Sequence, residues 1–159
     1  MSTRVHAFDV LIIGSGLAGI SLALQLPSST KIAILTKRTA EDGSSSWAQG
    51  GIAAVQAEGD DFEQHIQDTL VAGAGLCDLE VTRHIVESAP ATIAWLIAQG
   101  VPFTQDELGL HLTREGGHSQ RRIAHAADAT GWAIMTTLLE TARSRENIQL
   151  LEHYMLVDL

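Results

Sequence analysis

Three groups of residues carry chemistry by their type and spacing. The first is Gly14, Ser15, Gly16, Leu17, Ala18 and Gly19, a Gly-x-Gly-x-x-Gly turn. In a dinucleotide cradle Gly14 makes the turn, Gly16 lets backbone approach a pyrophosphate, and Gly19 lets a helix pack close to its strand. The positive end of that helix then faces the phosphates. The second group is Ser44, Ser45, Ser46, Trp47, Ala48, Gln49, Gly50 and Gly51, which offers three hydroxyls and an adjacent glycine pair for close approach to something flat or charged. The third lies in residues 110–122, where Arg114, Arg121, Arg122, His111, His118 and Glu115 gather around Gly116 and Gly117 in a chain otherwise poor in cations.

Each group has a plainer reading. Glycine triplets also occur in ordinary loops, but here an apolar strand precedes the turn and a helical pattern follows it at once. The serine stretch could be a linker, yet linkers seldom embed Trp47 and Gln49 and then run into Ile52-Ala53-Ala54-Val55, which reads as buried. A binding loop accounts for it better. The third group reads equally as a polar site or as a solvated basic loop whose arginines balance nearby acids. His111 and His118 stand seven apart without metal-ligand spacing, so no metal site is expected.

The elements that must position these groups follow from periodicity. An apolar run ending at Ile13, a helix over 17–26 stopped by Pro27-Ser28-Ser29, and a second buried strand over 31–36 make a β-α-β unit. A plain NAD site places an acid at the end of that second strand, but the chain has Thr36-Lys37-Arg38. Lys37 could pair with phosphate or adenosine groups, or could be a solvated strand end. Further on, Asp60 and Glu63 resemble a capping box opening a helix with Phe62, Ile66 and Leu70 on one face, and His65 reads as a surface residue. Two helices are expected over 79–88, with Val81 and Ile85 on one face, and 91–99, with Pro90 in the first turn of the latter. Thr130 is placed to cap a last helix with Ile134, Met135, Leu138, Leu139 and Ala142 as its stripe. A strand over 147–153 could join the sheet beside the first, and 154–159 forms another strand-like run. The fold class is α/β, Rossmann-like, with a parallel central sheet.

The bulk numbers agree with one domain. The 159 residues are 45% hydrophobic and 18% charged, which places the chain among globular proteins. A net charge of -9 with no basic stripe argues against a nucleic-acid partner. No apolar run has membrane-spanning length and the first residues lack a signal-peptide pattern, so no membrane association and a cytoplasmic location are expected. The single cysteine, Cys77, suits a reducing compartment.

The glycine turn, the stretch from Ser44 to Ala54, the run His111 to Ser119 and the run His125 to Gly131 together resemble the L-aspartate oxidases. These form a branch of the succinate dehydrogenase and fumarate reductase flavoprotein family. The resemblance implies FAD on a doubly wound sheet. It implies that Ser15 to Ala18 hold the pyrophosphate within the Gly14 to Gly19 cofactor turn, that Lys37 sits near the adenosine side, and that Ser44 to Gly51 wrap the flavin. The succinate dehydrogenase branch bears a covalently flavinylated histidine where this chain has Ser44, so non-covalent FAD is expected. Glu115 matches a glutamate assigned to orient the substrate ammonium. The implied reaction is hydride transfer from the α-carbon of L-aspartate to flavin N5, giving iminoaspartate, with oxygen or fumarate as electron acceptor. Iminoaspartate then feeds quinolinate synthase in NAD biosynthesis. The resemblance also implies that residues 1–159 are the N-terminal part of an FAD-binding domain. A capping domain and the carboxylate-binding and acid-base residues would lie outside this sequence, so no catalytic residue is assigned within it. The alternatives are a fumarate reductase-like flavoprotein and a nucleotide-binding module without catalysis.

Overall fold

The computed structural model describes residues 6–107 and 109–158. Two compact units divide the chain, one made of the residues up to Trp47 together with Gly131 onward, the other of Ala48–Thr130.

The first unit opens with β1 (Val10–Ile13), α1 (Leu17–Gln25) and β2 (Ile32–Thr36). Its sheet is parallel, with Val10 opposite Ile32 and Ile13 opposite Leu35. Parallel sheets covered on both faces favour continuous β-branched and aliphatic runs, and Ile32, Ala33 and Ile34 are accordingly fully buried. The last helix and strand of the chain complete this unit, and α4 extends over Thr130–Ser144. Its residues Ile134, Met135, Leu138, Leu139 and Ala142 are all buried, as their helical spacing predicts. The final strand, Ile148–Glu152, corresponds to the one expected beside β1, but it pairs with β2 instead, Ile32 opposite Ile148, so β2 is central. The strand-like run after it forms no strand. His153 takes a left-handed backbone conformation, φ 62°, that ends the extended run, and Tyr154 N–H then donates to Thr36 O.

The second unit holds β3 (Ile52–Ala53), α2 (Phe62–Ala72), α3 (Leu79–Ala98), a short antiparallel pair β4 (Gln105–Asp106) and β5 (Gly109–Leu110), then β6 (Leu112–Thr113) and β7 (Ile123–Ala124). The final strand of the first unit, Ile148–Glu152, is β8. A small antiparallel sheet runs β3-β7-β6. The capping residue of α2 is Asp61, not Asp60: its carboxylate accepts from Gln64 N–H at 2.8 Å. Asp60 is diverted to Arg122, and Glu63 pairs with Arg83 of α3 rather than reaching back to the cap. His65 is buried, not a surface residue.

Residues 79–98 form one helix, with Pro90 inside it. The buried positions Thr82, Val86, Ile93 and Leu96 make a single stripe running through Pro90, and Val81 and Ile85 face outward. Burial along the whole stripe thus outweighs the roughly 3 kcal/mol that an interior proline costs. A Schellman motif ends the helix, with Val101 N–H donating to Leu96 O and Gly100, at φ 94°, donating to Ile97 O. Among the described residues no helix is long and apolar enough to cross a membrane.

Candidate functional site

In the first unit the C-terminal ends of β1 and β2 open into a cavity of about 640 Å³. This is where ligands bind in open parallel sheets. Ile13, Gly14, Ser15 and Gly16 line one side, Leu35, Thr36 and Lys37 another, with Asp42 to Ser45 and Tyr154 to Leu156 closing the rest.

Each glycine of the turn has its own reason to lack a side chain. Gly14 adopts φ 105°, a conformation costly for other residues, and its N–H donates to Leu35 O at 2.8 Å. A Cβ on Gly19 would sit 2.3 Å from Gly14 O, so the helix can lie this close to β1 only with glycine there. Gly16 has an ordinary extended backbone, and a Cβ there would meet nothing nearer than Ser45 Oγ at 3.6 Å. Its smallness therefore serves something other than the protein's own packing. Leu17 N–H donates to Ser45 Oγ and Ile20 N–H to Gly16 O, while the amides of Ala18 and Gly19 have no acceptor among the described residues. Open amides at a helix start are what an anionic diphosphate requires.

The serine stretch divides between the two units. Ser44 to Trp47 form a 3-10 turn. Ser44 and Ser45 line the cavity, whereas the Ser46 hydroxyl donates to Glu41 O at 2.6 Å and is spent on the loop itself. Ser15 likewise donates to Ala40 O. Trp47 is 78% exposed and does not line the cavity. The loop before this turn is tied to β8 and α4, because Ala40 N–H donates to Glu152 and Arg143 pairs with Glu41 at 2.7 Å. The hydrogen bond from Arg143 holds the Glu41 carboxyl below its usual pKa.

Ala48, Gln49, Gly50 and Gly51 belong to the second unit. Gly51 was expected to admit a ligand, but the protein's own backbone uses that space: a Cβ there would lie 2.2 Å from Ala124 O of β7. Gly50 is different. The two carboxylate oxygens of Glu115 stand 3.7 Å from where its Cβ would be. Within this unit, one residue singled out as flavin-wrapping, Gly50, thus lies beside the residue singled out as substrate-orienting.

The rest of the 110–122 group separates into structural and exposed parts. Arg122 is wholly buried, forked onto Asp60 and bonded to Asp68. Burial opposes its charge, and the hydrogen bonds to the two carboxylates more than offset that, so its pKa is raised. Burial, the Arg122 charge and the neighbouring His118 push the His65 pKa down. Arg114 and Arg121 remain exposed beside a surface cavity of about 510 Å³. His111 meets His125, Nδ1 to Nε2 at 3.0 Å, because they form the next rung after Leu112 opposite Ala124.

Two contributors escaped the sequence reading. Tyr154 to Leu156 line the cavity through a turn at His153 that periodicity does not report. Asp68 lies off the apolar face of α2, and only the fold brings it to Ser119 and Arg122.

The sequence matches the FAD binding domain family over residues 9–159. The chain belongs to that family. As an FAD-binding domain it takes FAD as its cofactor, and the open amides at Ala18 and Gly19 and the unobstructed Gly16 fit that group's diphosphate. Over 96% of its length the domain is 56% identical to L-aspartate oxidase 1 of Ralstonia nicotianae, covering 29% of that protein. It is 57% identical to an L-aspartate oxidase of Pseudomonas aeruginosa, with 97% of this chain and 30% of that one covered. A quinol fumarate reductase of E. coli has the same fold, with TM-score 0.86 and 32% identity over 92% of this domain and 26% of that chain. The domain therefore spans about 30% of the length of these curated relatives.

Proposed function

We propose that this domain holds FAD non-covalently in an enzyme that oxidises L-aspartate to iminoaspartate. The observation that carries this reading is the position of the Glu115 carboxylate, whose two oxygens stand 3.7 Å from where a Cβ on Gly50 of the serine-glycine stretch would be. The high identity to L-aspartate oxidases supports it.

Bound FAD supplies a two-electron acceptor. In this reading Gly14 to Gly19 present amides to its diphosphate, Lys37 offers a cation on the adenosine side, and Ser44 to Gly51 enclose the flavin. Ser44 carries a hydroxyl, which forms no covalent tie to the flavin. The Glu115 carboxylate accepts hydrogen bonds from the substrate ammonium and so orients the α-carbon hydrogen for transfer. A dicarboxylate without that ammonium gains nothing from Glu115, which makes the residue a selector as well as an orienter. Oxygen or fumarate would serve as the electron acceptor. The product is the substrate that quinolinate synthase consumes in NAD biosynthesis, and a cytoplasmic location suits that role.

The test replaces Glu115→Gln in the FAD-loaded protein. A hydrogen bond to a charged group is worth about 1.5–3 kcal/mol, so kcat/KM for L-aspartate should fall roughly 10- to 100-fold. Fumarate reduction should change far less. Equal losses for both substrates would sink the selecting role. Failure of L-aspartate to bleach the flavin anaerobically in the unmodified protein would overturn the activity itself. That second outcome would favour the fumarate reductase-like reading, which the fold match to quinol fumarate reductase keeps in view.

A further inference from the structure

Glu115 sits in a segment with little structure of its own. The ladder between β6 and β7 ends at Arg122 N–H donating to Thr113 O, and residues 114–121 lie outside it. Within that segment His118 N–H donates to Glu115 O at a long 3.3 Å, and Gly117 takes φ 86°. Such a turn wanders unless something outside it fixes it. One oxygen does so. Asp68 Oδ2, on α2, accepts from Ser119 N–H, from the Ser119 hydroxyl and from Arg122 Nη1, each at 2.7 Å. Asp60, just before the same helix, takes the other edge of the Arg122 guanidinium. The far end of the Glu115 turn is therefore tied through Ser119 and Arg122 to Asp68 of α2 and, through Arg122, to Asp60 just before that helix.

We infer that Asp68 and Ser119 are positioning residues for Glu115, fixing where its carboxylate stands and thereby how well the protein tells an amino dicarboxylate from a plain one. This rests on the reading of Glu115 given above. Asp68 touches neither substrate nor flavin in this role; it acts through Ser119. The charge on Asp68 suits the task, since charge-assisted hydrogen bonds are shorter and stronger than neutral ones.

The decisive variant is Ser119→Ala in the FAD-loaded protein, because it removes one anchor bond and leaves the buried Arg122 untouched. KM for L-aspartate should rise about 5- to 10-fold relative to KM for fumarate, with Ser119→Thr restoring the ratio. Amides of residues 115–118 should exchange hydrogen about tenfold faster, roughly 1.4 kcal/mol of lost protection. Asp68→Asn should act in the same direction and more strongly. Unchanged exchange in Ser119→Ala overturns the anchor whatever the kinetics show. Faster exchange with an unaltered substrate ratio, in a protein where Glu115→Gln does abolish discrimination, overturns the link to selectivity. If Glu115→Gln leaves discrimination intact, the reading of Glu115 has failed instead, and the exchange data alone decide the anchor.

Discussion

Arg122 meets Asp60 as a fork, Nε to Oδ2 at 3.0 Å and Nη2 to Oδ1 at 2.7 Å, with the Asp60 side chain only 1% exposed. Removing one member of a buried ion pair strands the other charge away from water, at a cost of about 3–5 kcal/mol. Asp60→Ala should therefore destabilise the protein by that order in urea unfolding. Asp61→Ala, one position along, removes only a helix cap and should cost about 1 kcal/mol. Equal losses would mean that the fork contributes no more than an ordinary surface contact.

The glycine turn separates folding from cofactor binding. Gly19→Ala drives a Cβ into Gly14 O, a backbone atom that cannot swing aside, and should cost about 1–3 kcal/mol. Gly16→Ala meets only ordinary contact distance and should cost under about 1 kcal/mol, yet weaken FAD binding at least tenfold by crowding the diphosphate. Thermal unfolding of the apoprotein and an FAD titration measure the two quantities. Gly16→Ala that binds FAD normally would show that the cofactor does not approach there.

His65 sets a pH dependence of known sign. Its folded pKa lies below the ordinary 6.5, because of burial first and of Arg122 and His118 next. Below pH 6.5 the unfolded chain takes up a proton that the folded protein refuses, so stability falls as pH drops towards the folded pKa. Below that value both states carry the proton and this contribution stops changing. Urea midpoints at pH 7 and 5.5 should differ in the unmodified protein and differ less in His65→Asn. A steeper difference in the variant would reverse the assignment.

What the sequence revealed and what it concealed follow one physical division. The β-α-β unit was legible because local signals agree there: an apolar strand, a glycine turn, a helical stripe and a second strand in immediate succession. The stripe of α4 was legible for the same reason. The error at Pro90 arose where a local breaker met a buried stripe set by distant partners, and distance won. The one-residue shift from Asp60 to Asp61 has the same origin, since both aspartates suit a cap and only the three-dimensional position of Arg122 claims one of them. The bond from Ser119 N–H to Asp68 joins residues 51 positions apart and leaves no mark on either segment. Gly51 shows why glycine is an ambiguous signal: it reports close approach without saying what approaches, and here Ala124 O lies 2.2 Å from where its Cβ would be.

The parallel sheet joins strands from opposite ends of the chain. Asn147 reaches Thr30 across 117 positions, and β8 supplies the second neighbour of β2. Residues 48–130, by contrast, form a unit uninterrupted in sequence. During synthesis from the N-terminus the uninterrupted unit is fully made while β2 still has a bare edge, and that edge stays open until β8 has emerged. The loop closed by this pairing is long, so its entropy must be overcome before any ladder bond forms. In the growing chain β2 thus spends its early life as an exposed, apolar strand edge, the kind of surface on which nascent chains associate with one another.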